Sequence, residues 1–129
     1  RKRTSNKVNY TVAHTSEVIA AAINIPLFEW VIENLCKNAV DAMGGIGEIS
    51  FNIQSSGSNV IIDIKDTGKG IAKKHFKDVF KPGFTTKQRG WGLGLSLSKR
   101  IIDDYHKGKI FVRSSEVGRG TTFRIILRK

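Results

Sequence analysis

The sequence predicts an α+β fold, a two-layer sandwich with its helices on one face of a sheet. Three observations point there. Short runs of alternating apolar and polar residues come in pairs around glycine-containing turns. Two longer segments instead repeat apolar residues at three- and four-residue steps. The strands are also grouped rather than strictly alternating with helices, which segregates the helices to one side of the sheet. A chain of 129 residues has room for one such core, so residues 1–129 are read as a single domain.

Each element has its own reason. Val8–His14 and Glu17–Ile23 carry β-branched residues and are expected as short strands. Pro26 suits the first turn of a helix, where its missing N–H costs nothing. From Leu27 to Met43, Phe28, Ile32, Leu35, Ala39 and Met43 recur at helical spacing as a core stripe, and Gly44, Gly45 and Gly47 end it. Glu48–Gln54 and Val60–Asp66 alternate as strands around the turn Ser55–Asn59. A short helix is expected over Ala72–Val79. Phe80–Gly94 has the composition of a loop, and at its length a lid is expected rather than a passive connection. Leu95–Tyr105 repeats Leu97, Ile101 and Tyr105 as a second helix, stopped by Gly108. Lys109–Ser114 and Thr121–Leu127 close the domain as a hairpin around Gly118, Arg119 and Gly120.

Composition narrows the function classes. With 40% hydrophobic and 26% charged residues, wholesale disorder and collagen-like repeats are excluded. No apolar run approaches the ~18 residues that a membrane-spanning helix needs. The sequence starts at Arg1 without an initiator Met or an apolar leader, so the expectation is a piece of a longer protein. A net charge of +11 favours a polyanionic or phosphate-bearing partner, although part of it sits in Arg1–Lys7 and in Arg128 and Lys129. The basic residues are not interleaved with an aromatic stacking platform, which argues against nucleic acid. Cys36 is the sole cysteine, so there is neither an internal disulfide nor a zinc cluster; its apolar neighbours suit a buried thiol in a reducing compartment.

Four motifs could carry chemistry. Asn34, Asn38 and Asp41 fall within roughly 60° of one helix face at ~100° per residue, and could offer oxygens to a hard cation or simply face solvent. Asp66-Thr67-Gly68-Lys69-Gly70 follows a strand directly. A carboxylate there can accept from an exocyclic amine while glycines allow close approach to a planar ring; an ordinary glycine turn is the alternative. Gly90-Trp91-Gly92-Leu93-Gly94-Leu95 runs into a helix, which is either a phosphate-binding arrangement of N–H groups or a hinge. No GxGxxG, GxxxxGK[ST] or protein-kinase motif set occurs. In Gly118-Arg119-Gly120-Thr121-Thr122-Phe123, a turn accounts for the glycines, and Thr121 could hold a water or a base edge.

Their order and spacing together resemble the ATP-binding domain of sensor histidine kinases, within the superfamily shared with DNA gyrase B, MutL and the ninety-kilodalton heat-shock chaperone. ENLCKNAVDAM is similar to the asparagine box, DTGKG to the first glycine box, FKPGFTT to the phenylalanine box, RGWGLGLSLSKRI to the second glycine box and GRGTTF to the last. The resemblance covers roughly Leu27 to Leu127 and implies a Bergerat fold: a mixed, mostly antiparallel sheet covered on one face by about three helices, with an ATP lid near residues 80–94. It implies ATP and Mg²⁺ as ligands, with Asn38 on the metal, Asn34 near the phosphates and Asp41 on the same face. Asp66 would take the adenine amine, helped by a water shared with Thr121, with Gly68 and Gly70 lining the pocket. Lys87 and the backbone of Gly92, Leu93, Gly94 and Leu95 would serve the phosphates, and Ile71, Phe80 and Phe84 would supply apolar walls and lid anchors.

The implied activity is protein-histidine kinase: Mg·ATP is presented to a histidine outside this chain. The implied partners are a phosphoacceptor-histidine dimerisation domain of the same protein and a response-regulator receiver domain, in a cytoplasmic setting. That allows a membrane-anchored, homodimeric parent, with the fragment itself monomeric. Two positions depart from the pattern. Trp91 stands where a small hydroxyl residue is usual, which suits packing rather than ligand contact. Asn34 stands where hydrolytic relatives carry a catalytic Glu, and an amide cannot act as a general base; Glu33 lies ~100° around the helix. His14, His75 and His106 lack a phosphoacceptor setting and are read as structural or solvent-facing. The rival readings are a hydrolytic ATPase and a degenerate docking module without nucleotide.

Overall fold

The computed structural model describes residues 7–14, 21, 23–84 and 94–129. Five strands form one sheet: β1 (Lys7–His14), β2 (Ile46–Ser56), β3 (Asn59–Asp66), β4 (Lys109–Glu116) and β5 (Gly120–Arg128). The order across it is β1-β2-β3-β5-β4, parallel between β1 and β2 and antiparallel elsewhere. The mixed, mostly antiparallel expectation is met. Helix α1 (Ile25–Ala42) makes the crossover from β1 to β2 that a parallel pair requires.

The inward side follows the strand period. In β3, Val60, Ile62, Ile64 and Asp66 are buried, and Ile49, Ile110, Val112, Phe123, Ile125 and Leu127 join them from neighbouring strands. From the helix layer come Val31, Leu35 and Ala39 of α1, with Ile101 and Ile102. The stripe on α1 is therefore centred on Val31, Leu35 and Ala39, while Phe28, Ile32 and Met43 sit at its half-buried margins. On the other side of β3, Asp63 pairs bidentately with its cross-strand neighbour Arg124, at 2.8 and 2.9 Å.

Local chemistry sets the ends of α1. The Asn24 side chain accepts the Leu27 N–H at 3.1 Å as N-cap, with Pro26 in the first turn. At the other end Gly44 N–H bonds to the Asp41 carbonyl and Gly45 N–H to the Val40 carbonyl, both glycines having positive φ. This paired arrangement is a Schellman stop.

Four expectations are corrected. Of Glu17–Ile23, Ala21 and Ile23 belong to no strand, and the rest lies outside the described residues. Ala72–Val79 is not a helix but two 3₁₀ turns, Lys73–His75 and Asp78–Phe80. Lysines at 73, 74 and 77 would repel at helical spacing, and the broken path still drops Val79 and Phe80 into the core. The second helix, α2, is α-helical only over Gly94–Arg100 and widens to a π-turn over Ile101–Tyr105. That turn seats the buried His106 ring, whose Nε2 accepts the Asn24 N–H at 2.9 Å and whose Nδ1 lies 3.0 Å from the Ile101 carbonyl. An amide can only donate, so Nε2 is bare and Nδ1–H donates to Ile101. The strands also run beyond their expected ends, tightening the first hairpin turn to Gly57 and Ser58.

Candidate functional site

The site is built at the end of β3. Alternation turns Asp66 inward, where it is 5% exposed, onto the sheet face that carries the apolar core. Its Oδ1 accepts the Gly68 N–H at 2.8 Å and the Thr121 N–H at 3.3 Å. Burial pushes the Asp66 carboxyl above the usual range, and those two backbone bonds oppose the shift.

Three segments close around this carboxylate. The Lys69 N–H bonds to the Ala42 carbonyl at the end of α1, and the Gly118 N–H bonds to the Lys69 carbonyl at 2.7 Å. The glycines make that closeness possible. A Cβ on Gly68 would stand 2.8 Å from Ala42 backbone atoms, and one on Gly70 (φ +80°) would collide with the Glu116 carbonyl. Their missing side chains are thus required by neighbouring backbone. Ile71 follows, half-buried, its N–H bonded to Ser115 Oγ at 2.7 Å.

Ser115 is the residue that the motifs missed. It faces Thr121 across the hairpin, with Oγ 2.8 Å from Thr121 Oγ1 and 2.8 Å from the Gly120 carbonyl. Counting back from the turn at Gly118 would have paired the two hydroxyls.

The polar face of α1 runs toward the same loop. Asn34 and Asn38 are half-buried and Asp41 is exposed, one turn and less before Ala42 in the cases of Asn38 and Asp41. Glu33 points to solvent. The Asn34 carboxamide is engaged: Nδ2 donates to Oγ of the fully buried Ser98 at 3.2 Å. It also packs on the start of α2, where a Cβ on Gly94 would stand 2.5 Å from Oδ1. Leu95 is half-buried against the core. Phe80 is buried edge-to-face on Phe123, with centroids 6.0 Å apart, and Phe84 packs on His75 at 5.4 Å. Asp78 accepts from Lys81 at 3.0 Å and lies 3.3 Å from His75 Nδ1, so His75 does have an acidic neighbour. Lys87, Trp91, Gly92 and Leu93 lie outside the described residues. Among the described residues, no group of three His, Cys, Asp or Glu side chains could hold a metal, and no helix is long and apolar enough to cross a membrane.

Comparison with known proteins bears on the family and the fold. Residues 24–129 match the family described as histidine kinase-, DNA gyrase B- and HSP90-like ATPase. The sensor histidine kinase ZraS of Escherichia coli K12 is 44% identical over 97 residues, which are 75% of this chain and 20% of ZraS. The chain spans about a fifth of the length of the curated relatives it matches. Among solved structures, the nucleotide-free catalytic domain of the histidine kinase ThkA aligns with a TM-score of 0.83 at 29% identity, over 95% of this chain and 79% of that one. ThkA in complex with the response regulator protein TrrA aligns at 0.80 and 27% identity, over 95% and 34%.

Proposed function

Because this chain belongs to the histidine kinase-, DNA gyrase B- and HSP90-like ATPase family, we propose that it is the ATP-binding catalytic domain of a two-component sensor histidine kinase, presenting Mg·ATP to a histidine outside the chain. The observation that carries this reading is the buried Asp66 carboxylate. Backbone donors occupy its Oδ1, which leaves Oδ2 as the oxygen for an incoming amine such as that of adenine. Gly68, Gly70 and Ile71 frame the base, and Thr121 accepts from the water or base edge beside it.

The asparagines of α1 suit the phosphate end. Asn38, half-buried one turn from the Asp66 loop, has the hard, neutral oxygen that suits Mg²⁺; Asp41 stands beside it on the rim. When bound, the cation neutralises phosphate charge. The backbone of Gly92, Leu93, Gly94 and Leu95 is assigned to the phosphates on the strength of the second glycine box, Lys87 on its place in the lid segment just before that box, and Phe80 and Phe84 to anchoring the lid. Phosphoryl transfer needs positioning and charge neutralisation more than covalent help, which this donor set can give. The partners are then a phosphoacceptor-histidine dimerisation domain of the same protein and a response-regulator receiver domain; the ThkA–TrrA complex supports the second. The setting is cytoplasmic. A hydrolytic reading is disfavoured, because Asn34 replaces the expected Glu and its amide is spent on Ser98.

Calorimetric titration of the 129-residue chain with Mg·ATP tests the proposal. Asp66→Asn should weaken binding more than ten-fold, since a charge-assisted bond is worth ~1.5–3 kcal/mol. Unchanged affinity sinks the assignment of Asp66 to the base.

A further inference from the structure

We propose that Met43 is a reversible oxidation site, at which a hydroperoxide converts the thioether to a sulfoxide, loosens the Asp66–Gly70 loop and weakens nucleotide binding. This adds regulation to the nucleotide reading above and rests on that reading for its readout. Met43 is the sole methionine, and it caps α1 as a half-buried residue at the margin of the core. Its sulfur reaches the loop directly: Thr67, between Asp66 and Gly68, has Oγ1 3.4 Å from Met43 Sδ. The same Oγ1 accepts the Glu48 N–H at 3.1 Å, and a thioether has no proton to give, so the single Thr67 proton points at sulfur. That contact is exposed to solvent, which puts the sulfur within reach of a small oxidant. Together with the bond from the Lys69 N–H to the Ala42 carbonyl, it ties the loop to the end of α1.

The step is a two-electron oxidation. A sulfur lone pair attacks one oxygen of hydrogen peroxide and the O–O bond breaks. The proton of the transferred hydroxyl ends on the departing oxygen, giving sulfoxide and water; sulfur is oxidised and the peroxide reduced. The product does not fit the arrangement around the thioether. A Cβ on Gly47 would stand 2.5 Å from Sδ and 2.6 Å from Thr67 Oγ1, and an oxygen on that side of the sulfur has no more room. The sulfoxide is also polar where the thioether is apolar, which draws the side chain from the core margin toward water. Either movement breaks the contact with Thr67 and frees the residue next to Asp66. Cys36, the other sulfur, is a poorer target. Burial pushes its thiol up and the Glu33 charge adds to this, so little thiolate is present to react.

The test uses the 129-residue chain carrying Cys36→Ala, so that Met43 holds its only sulfur, with hydrogen peroxide as the oxidant. Treatment should add one oxygen to the intact mass, mapped to Met43. It should weaken Mg·ATP binding about five-fold by calorimetry, the equivalent of one hydrogen bond of ~1 kcal/mol, while the melting transition persists. Methionine sulfoxide reductases for both epimers, with a thiol reductant, should restore mass and affinity together. Met43→Leu, close in volume, should bind ATP as the untreated chain does and keep that affinity through peroxide. Should Met43→Leu fail to fold, Met43→Gln serves in its place: polar like the sulfoxide, it should bind ATP as weakly as the oxidised chain without any treatment. A Met43 that stays unoxidised, an oxidised chain with unchanged affinity, or an equal loss in Met43→Leu overturns the proposal while leaving nucleotide binding intact. Loss of the melting transition on oxidation also overturns it, as damage in place of control. No ATP binding by the untreated chain overturns both readings.

Discussion

Asp66 stands in a conflict between stability and binding. Burial raises its carboxyl, only partly offset by the Gly68 and Thr121 N–H bonds, so the folded state holds the proton more tightly than the unfolded state. The sign follows: stability is greatest with the group protonated and falls as pH rises from the unfolded value through the higher folded one. An Asn side chain removes the titration, and its oxygen can still accept both N–H groups. Asp66→Asn should therefore melt at or above the wild-type temperature at neutral pH, with the gain vanishing as pH falls through the carboxylate range. Thermal melts across pH, set beside the lost ATP binding, check this; a melt below wild type at neutral pH would make the charge itself structural. Asn38→Ala makes the companion prediction. Removing a neutral oxygen ligand should abolish most of the Mg²⁺ dependence of ATP binding, read by titrations with and without the metal. A variant as metal-sensitive as wild type would move the ligand to another side chain.

Among the elements, the contact between α1 and α2 makes a sign-reversing prediction. Alanine is ordinarily better than glycine inside a helix by ~1 kcal/mol. At Gly94, however, the added methyl would sit 2.5 Å from Asn34 Oδ1 and push the carboxamide off Ser98. Gly94→Ala should destabilise by roughly 1–3 kcal/mol for the crowding and the buried polar groups left unpaired. In an Asn34→Ala background the same substitution should become neutral or stabilising. Urea melts of the four proteins decide it, and equal effects in both backgrounds would remove Asn34 from the role of seating α2. Elements were legible in the sequence where local chemistry decides them. The β2–β3 and β4–β5 hairpins follow from their turns and alternation, and α1 from Pro26 and its double-glycine stop. They were illegible where distant partners decide. The π-turn answers to a bond between His106 and Asn24, 82 residues apart, and the Lys73–Phe80 segment breaks into 3₁₀ turns as Val79 and Phe80 enter the core, Phe80 against the distant Phe123. Asp66 and Thr121 stood out because motifs flank them; Ser115 did not, because its importance lies in cross-strand register.

At the scale of the whole chain, the question is whether it can complete any chemistry unaided. A net charge of +11 favours attraction of a nucleotide polyanion, but binding is not turnover. Asn34 cannot take a proton from water, and its amide is held by Ser98, so no general base stands one turn before Asn38. Among the described side chains, a histidine acceptor is also poorly provided. His106 is buried with both ring nitrogens engaged, and His75 shares Asp78 with Lys81 while its ring packs on Phe84. The chain incubated with γ-labelled Mg·ATP should therefore bind nucleotide, release phosphate no faster than buffer and remain unlabelled. Supplying the phosphoacceptor-histidine hairpin of the proposed parent kinase in trans should place label on that hairpin alone, at a rate rising with its concentration because encounter limits it. Asp66→Asn should abolish this labelling along with ATP binding. Rapid phosphate release by the chain alone would favour a hydrolytic ATPase. Stable label on the chain, with His75 the first position to map because of its Asp78 neighbour, would put the nucleophile inside this domain instead of outside it.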